Sequence, residues 1–190
     1  MRILIGVDGS ASSLNAVRMA ASLIDPARDA VAVYFSPLEL EKRLPGRPQT
    51  IIEGAAAAVF EEACALLPRD MATRPETIAA AKPAAVGLLE SAASWRADLL
   101  VLGARGHGSV EHFLLGSVSR AVVHGAGLPV LVVRGSPPAD RGLRVLVCER
   151  PASAAAIAAV LGGLHWPATT KGSVIGVAES LLAGPLPPWL

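Results

Sequence analysis

Aromatic residues are scarce in this chain: they make up 4 % of its 190 residues, against 52 % apolar residues overall. A large core is therefore expected, but one built from Ala, Val and Leu. Neither sign of charge is in excess, with 17 basic and 16 acidic residues and a net charge of +1. That balance argues against electrostatic binding to nucleic acid or to an anionic membrane. Cysteine is limited to Cys64 and Cys148, far apart in apolar surroundings. A secreted disulfide framework would carry more, at closer spacing, so two inert buried thiols in a reducing cytosol are expected. Long hydrophobic runs are missing too. The opening run, Ile3 to Val7, is too short for a signal-peptide core. The longest uncharged stretch, Pro151 to Thr170, is rich in Ala and Gly, holds His165 and two prolines, and does not suit a spanning helix. A soluble, cytoplasmic chain is the expectation.

What is present reads as alternating strands and helices. Arg2 to Val7 is a continuous apolar run, as expected of a strand buried on both faces. Asp8-Gly9-Ser10 breaks it. Ser12 and Ser13 are helix-capping types, and Leu14, Val17, Ala20, Ala21 and Ile24 follow at helical spacing. After Asp25-Pro26 comes a second strand, Ala30 to Phe35. Strand, helix and strand in that order imply a parallel pair. Ser36 to Thr50, with three prolines and mixed charge, reads as a surface loop. Ile51 to Leu67 is predicted helical and Met71 to Ile78 is a weak strand. Lys82-Pro83 opens a helix that runs to Trp95. Asp98 to Leu102 is a further buried strand, Ser117 to Ala126 a helix, and Leu128 to Val133 the last strand.

The chain thus divides into a domain over 1–135, a Pro/Gly linker over 136–142, and a tail over 143–190. In the tail the opening pattern recurs about 142 residues on: Arg144-Val-Leu-Val147 matches Arg2-Ile-Leu-Ile5, and a helix and a strand follow. It reads as the first part of a second copy, too small to bury a sheet by itself.

The segment carrying chemistry is Gly103-Ala-Arg-Gly106-His-Gly-Ser-Val-Glu-His-Phe-Leu-Leu-Gly116-Ser117. It follows the carboxyl end of a strand, where open α/β sheets bind ligands. Glycines let a backbone approach a phosphate closely. Gly116-Ser117 begins a helix, whose free N–H groups and dipole suit an anion, and Ser117 and Ser119 add hydroxyl donors. No Lys-Ser/Thr follows a Gly-x-x-x-x-Gly, so this is not a Walker loop. Gly106 and Gly108 lack the third glycine of the dinucleotide fingerprint. His107, Glu111 and His112 are too few for a zinc site, which wants three or four organised ligands.

The spacing Gly, two residues, Gly, nine residues, Gly-Ser resembles the ATP-binding signature of the universal stress protein family. Ile3-Leu-Ile-Gly-Val-Asp-Gly-Ser10, Ala97-Asp-Leu-Leu-Val-Leu-Gly103 and Leu128-Pro-Val-Leu-Val-Val-Arg134 agree with it. The resemblance covers about residues 1–135, and the tail is similar to the start of a second copy in tandem members. There Glu149-Arg150-Pro151 replaces Asp-Gly-Ser and no signature follows, so no ligand is expected in that copy.

The resemblance implies an open, mainly parallel, five-stranded α/β sheet flanked by helices, Rossmann-like and of the adenine nucleotide alpha-hydrolase type. It implies that Val7 and Asp8 meet the ribose and adenosine side and that Val33 packs on adenine. Leu102 and Gly103 would line the base and sugar pocket, while Arg105, Gly106, Gly116, Ser117, Val118 and Ser119 hold the phosphates. The implied ligand is ATP, with AMP or another adenine nucleotide as alternatives, and Mg²⁺ would arrive with it, touching Asp8 indirectly. Phosphoryl transfer needs a metal-holding acid and a nucleophile-positioning group besides a cradle. Asp8 has no convincing partner for that work, so a regulatory binder is expected ahead of a slow nucleotide hydrolase or adenylyl-transferring enzyme. The resemblance also places Val130 to Val133 at an exposed sheet edge, which predicts a homodimer by strand pairing.

Overall fold

The computed structural model describes residues 1–106, 115–138, 142–149 and 154–176. The chain forms two compact units, Met1–Pro137 and Pro138–Leu190.

The first unit is a five-stranded sheet, every neighbouring pair of which is parallel. Strand β1 (Arg2–Gly6) is followed by α1 (Ala11–Ala21) and β2 (Ala30–Phe35). Two helices, α2 (Pro37–Arg43) and α3 (Gln49–Ala65), lead to β3 (Glu76–Ala79). Then come α4 (Ala84–Ser94), β4 (Leu99–Gly103), α5 (Ser117–Gly125) and β5 (Val130–Val133). The strand order is β3-β2-β1-β4-β5. The chain therefore builds outward from β1 on one side, returns to the middle, and builds outward on the other. The reversal falls between β1 and β4, and the crevice beyond their carboxyl ends is where such sheets take ligands.

The two central strands read as unbroken apolar runs because both faces are covered. Ile3, Leu4, Ile5, Leu100 and Val101 are all 1 % exposed or less. On one face Leu4, Ala32, Tyr34, Leu100 and Leu102 pack against Leu88 and Ala92 of α4 and Val122 of α5. With few large side chains available, small residues let elements come close. Tyr34 fits under α4 because residue 87 is glycine: a Cβ there would lie 2.0 Å from the Tyr34 hydroxyl.

The structure changes some sequence-based expectations. The stretch expected to be a loop over 36–50 contains α2 and the start of α3. Proline signalled a break, but Pro37 stands at the first helical position, where its missing N–H costs nothing. Lys42 also pairs with Glu39 one turn earlier at 2.9 Å. The cap of α1 is Ser10, whose Oγ accepts from the Ser13 N–H at 3.2 Å, not Ser12 or Ser13. Strand β3 is shorter than the weak strand over 71–78, because only its last residues reach the β2 edge. Neither thiol is fully buried. Cys148 is exposed and Cys64 half-buried, with burial raising the Cys64 pKa above its ordinary value.

The second unit, taken by itself, has β6 (Arg144–Glu149), α6 (Ala154–Gly163) and β7 (Lys171–Gly176). Strands β6 and β7 pair in parallel, Arg144 opposite Lys171. Leu146, Val174 and Ile175 are 50–65 % exposed. Among the described residues, no helix is long and apolar enough to cross a membrane.

Candidate functional site

The crevice at the β1/β4 reversal opens into a cavity of about 570 Å³, within the range of small-molecule sites. Its floor is built from two turns. After β1 the chain bends through Asp8, Gly9 and Ser10, with Gly9 at φ +77. Asp8 Oδ1 accepts from the Ser10 N–H at 3.0 Å and from Ser10 Oγ at 2.6 Å. Ser13 Oγ donates to Ser10 O at 2.9 Å and accepts from the Asp8 N–H at 3.3 Å. This reciprocal set holds the Asp8 carboxylate at the head of α1. Asp8 Oδ2 lies 4.0 Å from Arg43 Nη2 on α2.

After β4 the chain passes through Gly103, Ala104, Arg105 and Gly106. Gly103 touches α1 backbone to backbone: a Cβ there would lie 2.7 Å from both Ser12 C and Ser12 O. A Cβ on Gly106 would lie 2.6 Å from Asp8 Oδ2. Both glycines therefore keep the two turns in contact. Arg105 N–H donates to Ser12 Oγ at 3.3 Å. The Arg105 Nε is buried and has no hydrogen-bond partner among the described residues.

Helix α5 starts from the same place. Gly116 is its N-cap, with no side-chain cap, and its N–H donates to Ala104 O at 2.8 Å. The first i→i−4 bond is Arg120 N–H to Gly116 O at 3.0 Å. The N–H groups of Ser117, Val118 and Ser119 precede it, and all three residues line the cavity. Such a start is a ready anion site.

Ten of the eleven residues expected at the site line this cavity: Val7, Asp8, Leu102, Gly103, Arg105, Gly106, Gly116, Ser117, Val118 and Ser119. Val33 does not. It is fully buried within β2, and the strand reaches the cavity through Tyr34 and Phe35 at its carboxyl end. Ser119 is 4 % exposed and its Oγ donates to Gly103 O at 2.8 Å, so its proton ties α5 to β4. His107, Gly108, Glu111 and His112 lie outside the described residues.

The sequence reading missed Ser13, Tyr34, Glu39, Arg43, Leu88 and Arg120. Arg120 had a usable signal, one turn beyond Ser117 on the same helix. Glu39 and Arg43 carry none, because their segment has the proline and charge pattern of a loop. Lys42 beside Glu39 holds that carboxyl below its ordinary range, so it is ionised at neutral pH. Among the described residues Arg43, Arg105 and Arg120 line the cavity with Asp8 and Glu39, one positive charge in excess before the α5 dipole is counted.

A glycine-bearing strand-to-helix turn at the reversal of a parallel sheet agrees with the family comparison, in which the universal stress protein family model matches residues 1–134. The chain belongs to the universal stress protein family. The universal stress protein Rv2005c of Mycobacterium tuberculosis is 33 % identical over 141 residues, 70 % of this chain and 45 % of that relative. This chain spans less than half the length of the curated relatives it matches. A crystal structure of a universal stress protein in complex with cAMP is 28 % identical with a TM-score of 0.53, covering 70 % of this chain and 96 % of that one. The universal stress protein UspA from Lactobacillus plantarum has the same fold, with a TM-score of 0.56 at 20 % identity over 70 % of this chain and 97 % of its own.

Proposed function

We propose that the stress-protein domain is a regulatory adenine-nucleotide binder that takes ATP in the β1/β4 crevice with little or no turnover. One observation carries the reading: a helix start with no side-chain cap and a buried Arg105 Nε with no partner, both among the described residues, belong to one cavity lining. A phosphate group satisfies both. The stress protein solved with cAMP supports an adenine nucleotide as the class of ligand.

In this reading the backbone N–H groups of Ser117, Val118 and Ser119 orient the phosphate oxygens, and Arg105 adds a charged donor. Gly106 and Gly116 leave room for the oxygens to approach. Val7, Leu102 and Gly103 border the sugar and base. Asp8 Oδ1 accepts from Ser10 and Oδ2 lies 4.0 Å from Arg43 Nη2, so the carboxylate is held in place at the cavity wall. Mg²⁺ would arrive with the nucleotide, with Asp8 near it only indirectly, and would supply positive charge against the phosphates. Glu39, the other carboxylate among the described lining residues, is already engaged by Lys42. Among the described residues the arrangement therefore offers no second group to position an attacking nucleophile, and the sequence candidates for that role, Glu111 and His112, lie outside them.

Calorimetry with MgATP should show saturable binding, and the same sample should release phosphate far more slowly than about 1 s⁻¹, the lower end of ordinary enzymes. Turnover within the enzyme range would defeat the regulatory reading. Absence of binding by every adenine nucleotide would defeat the site.

The β6-α6-β7 unit repeats the parallel strand-helix-strand pattern of β1-α1-β2, and we read it as part of a second copy. Strand β5 ends the sheet, and an uncovered edge invites a like strand. The reading therefore includes a two-fold homodimer through Val130–Val133. Light scattering should give about twice the 19.4 kDa chain mass, and Leu131→Lys should shift it toward the monomer. A wild-type monomer at micromolar concentration would remove the dimer.

A further inference from the structure

Helix α2 follows β2 and supplies none of the phosphate donors described above, which come from the β4 turn and α5. Its last residue, Arg43, nevertheless lines the same cavity. Among the described residues its one ion pair is with Asp8, Nη2 to Oδ2 at 4.0 Å, the two side chains being 42 % and 30 % exposed. That separation is outside hydrogen-bond distance, and open pairs of this kind contribute little to stability. A cation in the last turn suits the α2 dipole, but Lys42 already supplies one. Holding the fold together does not account for Arg43.

Asp8 shows what the guanidinium faces. Two bonds from Ser10 fix Oδ1. Oδ2 then lies beside the β4 turn, 2.6 Å from where a Cβ on Gly106 would stand. One carboxylate oxygen is thus flanked by Arg43 and by Gly106. A phosphate chain entering at that turn meets a fixed negative charge, and like charges at close range repel. Arg43 offsets the charge and carries paired N–H donors whose geometry matches phosphate oxygens. Glu39, one turn earlier on α2, pairs with Lys42 at 2.9 Å rather than with Arg43.

We infer that Arg43 makes the site select for phosphate-chain length, engaging the outer phosphates of a nucleoside triphosphate and adding little for a monophosphate. This rests on the nucleotide reading above and adds to it the residue that favours ATP over AMP. A single phosphate is provided for by the first-turn N–H groups of α5 and by Arg105. Each further phosphate brings more negative charge beside Asp8, and Arg43 is the cation placed at that carboxylate.

Calorimetry on the full chain at one magnesium concentration tests it. Wild type should bind ATP more tightly than AMP, and Arg43→Gln should lower the ATP-to-AMP affinity ratio about tenfold, as expected for losing a charged hydrogen bond. Affinity for inorganic tripolyphosphate should fall by a similar factor. Arg47→Gln removes the same charge from an exposed position outside the cavity lining and should keep the wild-type ratio. Arg43→Lys retains the charge without the fork and should lower the ratio about threefold; it decides the matter if Arg43→Gln does not fold. Wild type without a preference for ATP, a wild-type ratio in the Arg43 variants, or an equal fall for ATP and AMP overturns the inference and leaves the nucleotide reading standing. So does a ratio lowered as far by Arg47→Gln, which would mark a general effect of charge. Wild type that binds no adenine nucleotide overturns both.

Discussion

Replacing Gly103 with alanine is expected to cost about 2–3 kcal/mol of stability, the range for forcing a methyl group into a packed interior. The added Cβ would stand 2.7 Å from Ser12 C and Ser12 O and 2.6 Å from Ser12 Oγ. Two of those three atoms are backbone in the first turn of α1, so no rotamer change relieves the overlap. The helix start would have to move by several tenths of an ångström. Ser12 Oγ also accepts from Arg105 N–H, and Ser119 Oγ donates to Gly103 O, so the shift would loosen both ties. For a chain of this length the melting temperature should drop by roughly 5–10 °C. ATP affinity should fall with it, because the same movement displaces Asp8 and Arg105. A melting temperature within a degree or two of wild type would show that β4 and α1 do not meet at Gly103.

The elements that create the crevice were legible because each has a local physical cause. Leu4 and Leu100 sit in apolar runs that only a doubly covered strand explains, and Gly116-Ser117 announces a helix start whose N–H groups lack a side-chain cap. What escaped the reading depends on register or on neighbours distant in sequence. Tyr34 lies within an apolar run and reads as core. Its place at the cavity follows from β2 ending level with β1, with Gly6 opposite Tyr34. Val33, one residue earlier, alternates to a fully buried position. Arg43 stands in a segment where Pro37, Pro45 and Pro48 signal a loop, although Pro37 begins a helix. Ser10 outcompeted Ser12 and Ser13 as the cap because Asp8 holds it in place from two residues back. That carboxylate-to-hydroxyl bond has no signature in spacing alone.

Gly116→Val should lower ATP affinity well over tenfold, or more than about 1.4 kcal/mol, while the domain stays folded. Gly116 has φ −68 and ψ 167, a conformation open to any residue, so backbone strain does not explain a glycine there. Its N–H bond to Ala104 O survives substitution. The loss would come from a branched side chain at the mouth of the N–H groups that face the phosphates. Valine is also a poor helix cap, which costs some stability of its own, so a second substitution is needed to separate the effects. Gly116→Ser serves because its two consequences have opposite signs. A serine hydroxyl can accept from the first-turn N–H groups, which should raise ligand-free stability by a few tenths of a kcal/mol. By occupying those donors it should weaken ATP binding, since the phosphate would have to displace it. A variant more stable than wild type yet poorer at binding ATP cannot be explained by damage to the fold. If Gly116→Ser and Gly116→Val both bind ATP as tightly as wild type, the phosphates lie elsewhere in the crevice and the start of α5 is a structural turn.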